Sequence, residues 1–292
     1  MPSYKTHSIH GELILPDIDQ RIEIKKEDLK SYCMGPDAMI LTDYKTFDYQ
    51  HAHKTKDFFM TMLKMLKEKK LLENSEAMAY LYGQLDHFVL DSVMHPFIYY
   101  MTEGIKSDNK IPPHGLTEMW MDDYTSQKYG KTDLEYYHKL FMKDKELRKM
   151  VSELYYKVYR VNHEASKYSL GMFAMALFDS LVRKNQMLIA PEIVGLFKTG
   201  DFTYQEDLNR VLPYLNLERN PWYNPEIGSQ YTDSFDDLWD KSKEISLETI
   251  EDVNKYLYQD QPLKNSLINN NTSFNTGLPC ELGQSLTYIK KY

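Results

Sequence analysis

Cysteine is nearly absent from this chain: two residues, Cys33 and Cys280, among 292. Two thiols cannot staple a fold of this size or build a thiolate zinc site, so a disulfide scaffold is excluded and a reducing, cytoplasmic setting is expected. Glycine is also sparse, at twelve residues, which suits helices better than a fold rich in tight turns. Long apolar runs are missing. The N-terminal MPSYKTHSIHGELIL lacks the uninterrupted apolar stretch of about 7 to 15 residues that a signal peptide needs. No later segment approaches the roughly 18 uncharged apolar residues of a membrane span, which leaves peripheral contact with a membrane as the only kind expected. A basic excess is missing as well. Thirty-five Lys and Arg against 43 Asp and Glu leave a net charge of -8 and a pI near 5.6, which excludes the electrostatic footprint of a duplex nucleic-acid partner. Any phosphate the chain handles requires a local cation. There is no internal repeat, low-complexity tail or linker of domain-boundary type, so residues 1–292 are expected to form one domain.

What is present is helical in pattern. Hydrophobic residues make up 42% of the chain, with 24 tyrosines and 16 methionines, enough for a sizeable core with adaptable packing faces. TKDFFMTMLKMLKEKKL, from Thr55, places Phe58, Phe59, Met62, Leu63, Met65 and Leu66 on one stripe of helical period. A second helix is expected from Ser75, as cap, through AMAYLYGQLDHFVLDSVM, which is almost uncharged apart from Asp86 and Asp91 and so reads as central. Pro96 should kink or stop it at His95 unless neighbours enforce continuation. SDNKIPP, 107–113, reads as a loop, and helical pattern returns after His114 and over 133–143, 145–185, 203–213 and 234–259. NPWYNPEIG, 220–228, and NNNTSFNTG, 269–277, read as loops. GELILP and RIEIKK, near residues 11–26, are the one candidate hairpin. The fold class expected is therefore all-α, with room for a short N-terminal hairpin.

Seven of the nine histidines fall within the first 114 residues. A carboxylate four positions from a histidine is a common coincidence, and His53 with Asp57 is one. His87, Asp91 and His95 are rarer: on the order of 0.04 such triples are expected by composition. Four helical residues turn through about 400° and rise about 6 Å, so the three side chains share a face with the histidines about 12 Å apart. One metal cannot easily take both histidines. Two can, with the oxygens of Asp91 between them. His114 and Glu118 repeat the offset of four on the next helix and could complete the site begun by His95. Polar groups projecting from an apolar helix cost several kcal/mol each if buried without partners, which a bound dication offsets. Asp37, in GPDAM, and His51, in QHAHKT, lie in segments of loop character before the first long helix and could close over such a cluster.

THSIHG at 6–11, GPDAM at 35–39, HAHKT at 51–55, YGQLDHFVLDSVMHPF at 82–97 and HGLTE at 114–118 together resemble the zinc-dependent phospholipase C family of bacteria, which is related in fold to the fungal single-strand nucleases. The likeness is to a compact branch without an export signal, and it continues weakly into MLIAPE, NPWYNP and SFDDLW. It implies a single multi-helix domain holding two or three zinc ions in a cleft. Asp37, His51, His87 and Asp91 match the set around one zinc; His95, His114 and Glu118 match the set around a second. His7, with the other side of Asp91, matches part of a third. The family carboxylate matching Asp37 is proposed to orient or deprotonate the attacking water. His51 fits the family's His-x-x-Lys-Thr pattern better than His53, though either could serve. The secreted enzymes use an N-terminal tryptophan at the third zinc, whereas this chain begins Met-Pro and has no tryptophan before Trp120; the Pro2 terminus would have to substitute. Those enzymes also separate the aspartate from the second histidine by two more residues than Asp91 and His95.

The activity implied is hydrolysis of a phospholipid or another phosphodiester by metal-activated water. Two alternatives are a nucleotidase or single-strand nuclease using the same metal cluster, with Trp120, Trp222 and Tyr223 available for stacking, and a non-catalytic helical protein with structural metals.

Overall fold

Helix α5, Ser75–Thr102, runs through the middle of the computed structural model, and all but a few of its residues are buried. Structure is described for residues 4–18, 21–102, 114–130, 141–183 and 208–290. Around α5 lie α1 (Tyr4–Ile14), α2 (Lys26–Tyr32), a 3-10 turn at Gly35–Met39, α6 (His114–Lys128) and α10 (Phe235–Gln259). Helices α3 (Tyr44–Ala52), α4 (Thr55–Glu68), α7 (Lys145–Tyr159) and α8 (Glu164–Arg183) form a second group beside it, with short α9 (Leu208–Val211) and α11 (Ser266–Asn269) completing the described helices. The fold is all-α. The described strands, Trp222–Tyr223 within the expected 220–228 loop and Gln230–Tyr231 just beyond it, make a two-residue antiparallel pair.

The core divides along α5. Its N-terminal half, with Leu81, Leu85 and Phe88, packs with Phe58, Phe59, Met62, Leu154 and Tyr168. Its C-terminal half, with Leu90, Met94 and Phe97, packs with Met121, Trp222 and Trp239. An apolar helix buried all round needs such cover on every side. Its cap is Asn74, whose side chain accepts from the Ala77 amide at 2.9 Å; Ser75, the expected cap, donates instead to the Glu23 carbonyl. Pro96 does not end the helix, which continues through a further turn to Thr102.

The N-terminal hairpin is overturned. Residues 11–14 finish α1, Leu15–Asp17 form a 3-10 turn, and Lys26 already belongs to α2. The period that matters there is 3.6: His7, His10 and Ile14 share the inward face and all are buried. Gly11 permits this packing, since a Cβ there would stand 2.3 Å from the Cys33 sulfur. Glu12, read as strand, instead accepts from Lys26 and Lys30 of α2. The helical pattern over 145–185 resolves into two helices, separated where Arg160 and His163 adopt left-handed backbone at φ 64° each. Neither is a glycine, so the break carries no sequence signal. By contrast, α10 follows its pattern: Ser234 and Asp237 form a reciprocal capping box at its start. The 107–113 loop, MLIAPE at 187–192, His138, most of the 133–143 pattern and part of 203–213 lie outside the described residues. Among those described, no helix is long and apolar enough to cross a membrane, and both cysteines are buried and unbridged.

Candidate metal centre

Five segments bring the eight singled-out side chains together. Helix α1 supplies His7, the 3-10 turn Asp37, α3 His51, α5 His87, Asp91 and His95, and α6 His114 and Glu118. The loop expected at Asp37 and His51 is corrected: both sit in helical turns, His51 in the last turn of α3, where its Nδ1 reaches back to the Phe47 carbonyl. Two groups result. Asp37, His51, His87 and Asp91 offer ligand atoms within 4.8 Å of one another, as do His95, His114 and Glu118, and each group could hold a metal ion. His53 is exposed and lies against Tyr49, so His51 is the histidine that faces the cluster.

Asp91 is the link between them. Its Oδ2 faces His87 Nε2 at 2.9 Å and His51 Nε2 at 3.5 Å, while Oδ1 faces His7 Nε2 at 3.2 Å and His95 Nε2 at 3.7 Å. Asp37 Oδ1 stands 3.1 Å from His51 Nε2 and 3.8 Å from His87 Nε2. His114 Nε2 lies 2.8 Å from Glu118 Oε1. His7, His87, Asp91 and His95 are completely buried, whereas His114 keeps 23% of its side chain exposed.

The far side of each ring determines what the near side can do. His51 Nδ1 lies 2.8 Å from the Phe47 carbonyl, His87 Nδ1 3.0 Å from that of Cys33, and His95 Nδ1 2.7 Å from that of Phe274. A carbonyl can only accept, so Nδ1 carries the proton in all three. Thr102 commits its own proton to the Ile98 carbonyl at 2.7 Å, so its oxygen accepts from His114 Nδ1 at 3.0 Å. With Nδ1 protonated, each neutral ring turns an Nε2 lone pair toward the cluster. Those lone pairs then meet carboxylate oxygens, acceptor against acceptor. In keeping with this, His51, His87 and His95 Nε2, Asp37 Oδ1 and both oxygens of Asp91 are buried with no hydrogen-bond partner, as are both ring nitrogens of His7.

A bound cation resolves that arrangement at both groups, whereas protons can serve the first group but not the second. Burial pushes His7 down and His95 and His114 well down, toward the neutral form. Burial also opposes a charge on His51, but Asp37 and Asp91 outweigh it and raise that ring to about 9; His87 is raised by the same carboxylates. Asp91 stays ionised despite burial because His87, His95 and His7 surround it. A set of imidazoles and carboxylates without thiolate suits zinc, so the residues fit that metal.

Sequence spacing did not reveal the carbonyls of Cys33, Phe47 and Phe274, because any residue supplies one. It also missed a buried pair behind the site. His10 Nδ1 lies 2.7 Å from Asp86 Oδ1, with Ser242 at His10 Nε2 and Ser246 on the same Asp86 oxygen. The available signal was a second histidine one turn after His7 and an acid directly before His87. Asp122 of α6, one turn beyond Glu118, accepts from the Lys5 and Thr6 amides and so caps the helix that carries His7.

Comparison with known families adds one finding. A family model described as zinc dependent phospholipase C matches residues 6–164, more than half of the chain and every residue of both groups. No curated protein and no solved structure matches the chain. Given that match, over the same residues whose unpaired Nε2 and carboxylate atoms converge, the chain belongs to the zinc-dependent phospholipase C family.

Proposed function

We propose that this chain is a zinc-dependent phosphodiester hydrolase of phospholipase C type, cutting the bond between diacylglycerol and the phosphoryl headgroup. The observation that carries the reading is the convergence of Nε2 lone pairs with the carboxylates of Asp37 and Asp91 in a buried site inside the matched segment. Asp37, His51, His87 and Asp91 would hold one zinc and His95, His114 and Glu118 a second; His7 and Asp91 Oδ1 offer part of a third position. Zinc bound there supplies Lewis acidity, lowering the pKa of water toward about 7 and offsetting the charge of a phosphoryl group. That local charge lets a chain of net charge -8 accept an anionic substrate.

The protein's own groups do the rest. Carbonyls and Thr102 lock the rings, so the site is set before substrate arrives. Asp91 presents one oxygen to each group. Asp37, 4% exposed beside His51, orients the attacking water or takes its proton, and the exposed edge of His114 marks the side nearest solvent.

Untagged protein purified without chelator should carry two or three zinc equivalents by elemental analysis and should hydrolyse a short-chain phosphatidylcholine. Zero or one equivalent after zinc is supplied would overturn the reading. Hydrolysis of a 3'-nucleotide but not of the lipid would overturn the substrate class alone.

A further inference from the structure

The segment 272–277 lies more than 100 residues beyond the family match and reads from sequence as a polar loop. It nevertheless touches both groups of the candidate centre. The Phe274 amide donates to the His51 carbonyl at 2.9 Å, and the Phe274 carbonyl accepts from His95 Nδ1 at 2.7 Å. Ser273 Oγ donates to the same His51 carbonyl at 3.0 Å. One residue of C-terminal chain therefore spans from the backbone of a first-group histidine to the ring of a second-group histidine. Its side chain, 1% exposed, packs between His51, His87 and Phe88, with ring centroids 5.3, 5.9 and 4.8 Å away.

The loop is held from behind as well. Ser273 and Gly277 close it through the Ser273 amide to the Leu278 carbonyl at 2.8 Å and the Gly277 amide to the Ser273 carbonyl at 3.1 Å. Gly277, at φ 64°, lies so near α5 that a Cβ would stand 2.4 Å from the Ser92 carbonyl oxygen. That carbonyl is the one Pro96 cannot bond, because proline lacks an amide proton. The proline inside α5 thus leaves the Ser92 carbonyl, one turn before His95, without a helical amide partner, and the loop seats beside it.

We infer that loop 272–277 is a positioning element of the metal centre, presetting His95 and His51 together; this rests on the metal-centre reading above. An outer partner of a metal-bound histidine fixes its tautomer and orientation, and losing such a partner costs about 10- to 100-fold in metal affinity. Linkage requires the converse: zinc must steady the loop.

Two measurements test this, neither of them an activity. In the wild-type chain, hydrogen exchange of a peptide covering 270–282 should slow at least about 10-fold when zinc is added to chelator-treated protein. Zinc affinity, by competition with a chelator, should fall about 10- to 100-fold for one equivalent in Gly277→Ala. It should stay within about 3-fold in Gly130→Ala, where nothing lies within 4 Å of the added Cβ. The inference is overturned if zinc binds and the peptide's exchange does not change, whether or not Gly277→Ala folds. A folded Gly277→Ala with wild-type affinity also overturns it. A chain that binds no zinc would overturn the metal-centre reading and this inference with it.

Discussion

Replacing Gly35 with alanine should damage the site through one contact. Gly35 has φ 54°, and a Cβ there would lie 2.2 Å from His87 Cγ, 2.4 Å from Cδ2 and 2.7 Å from Nδ1. The ring has little freedom to move, since Nδ1 is bound to the Cys33 carbonyl at 3.0 Å and its face stacks on His7 at 4.1 Å. Restoring an ordinary separation near 3.5 Å takes a shift of about 1 Å by ring or turn. Left-handed backbone costs an alanine roughly 1–2 kcal/mol, and overpacking typically adds about 1–3 kcal/mol, so the loss should be about 2–5 kcal/mol. Gly130 provides the control: φ is 64° and nothing lies within 4 Å of its Cβ position, so Gly130→Ala should show the backbone cost alone. Urea unfolding of both variants in the presence of a chelator isolates the contact as their difference. Zinc competition should then show affinity about 10- to 100-fold lower in Gly35→Ala. Equal destabilisation of the two variants, with zinc affinity unchanged in Gly35→Ala, would refute the claim that this turn holds His87.

Asp91→Asn removes the carboxylate that faces both groups, so hydrolysis of the lipid should be lost and zinc content should drop while the helical spectrum persists; full activity would sink the mechanism. His114→Ala touches only the second group and should lower zinc by about one equivalent, measured by elemental analysis, whereas unchanged content would remove His114 from the ligand set. His10→Ala removes one of two partners from a buried carboxylate oxygen, leaving Ser246 on it, and should cost about 1–3 kcal/mol. Adding Asp86→Ala should cost much less on the His10→Ala background than alone, and additive losses in urea would show that the pair is not coupled. Burial, reinforced by Asp240 and Asp236, raises the Tyr129 phenol to about 12. Between about pH 10 and 12 the unfolded chain therefore releases a proton that the native state keeps, and stability falls as pH rises. Tyr129→Phe should blunt that fall, and a parallel pH profile would refute it.

Local chemistry is what the sequence by itself determined. Helical period marked α4 and α10 because one face of each must be buried, an almost uncharged run marked α5 as central, and the spacing of His87, Asp91 and His95 placed three candidate ligands on one face because a helix returns to the same side every four residues. Spacing also picked out His114 and Glu118, position brought in Asp37 and His51, and the family likeness of THSIHG added His7. Failures came where tertiary contact outweighed pattern. The GELILP segment looks strand-like, yet α1 is buried almost all round, so period 3.6 prevailed over apparent alternation. The break at Arg160–His163 uses left-handed backbone without glycine, which no residue type announces.

The state of each histidine was decided only by tertiary structure. Whether an Nε2 carries a lone pair or a proton depends on what lies behind Nδ1, and those partners are carbonyls of Cys33, Phe47 and Phe274, the last from the opposite end of the chain. Every residue has a carbonyl, so composition and spacing hold no record of which one will be used. Folding selects it by bringing distant backbone to a fixed ring.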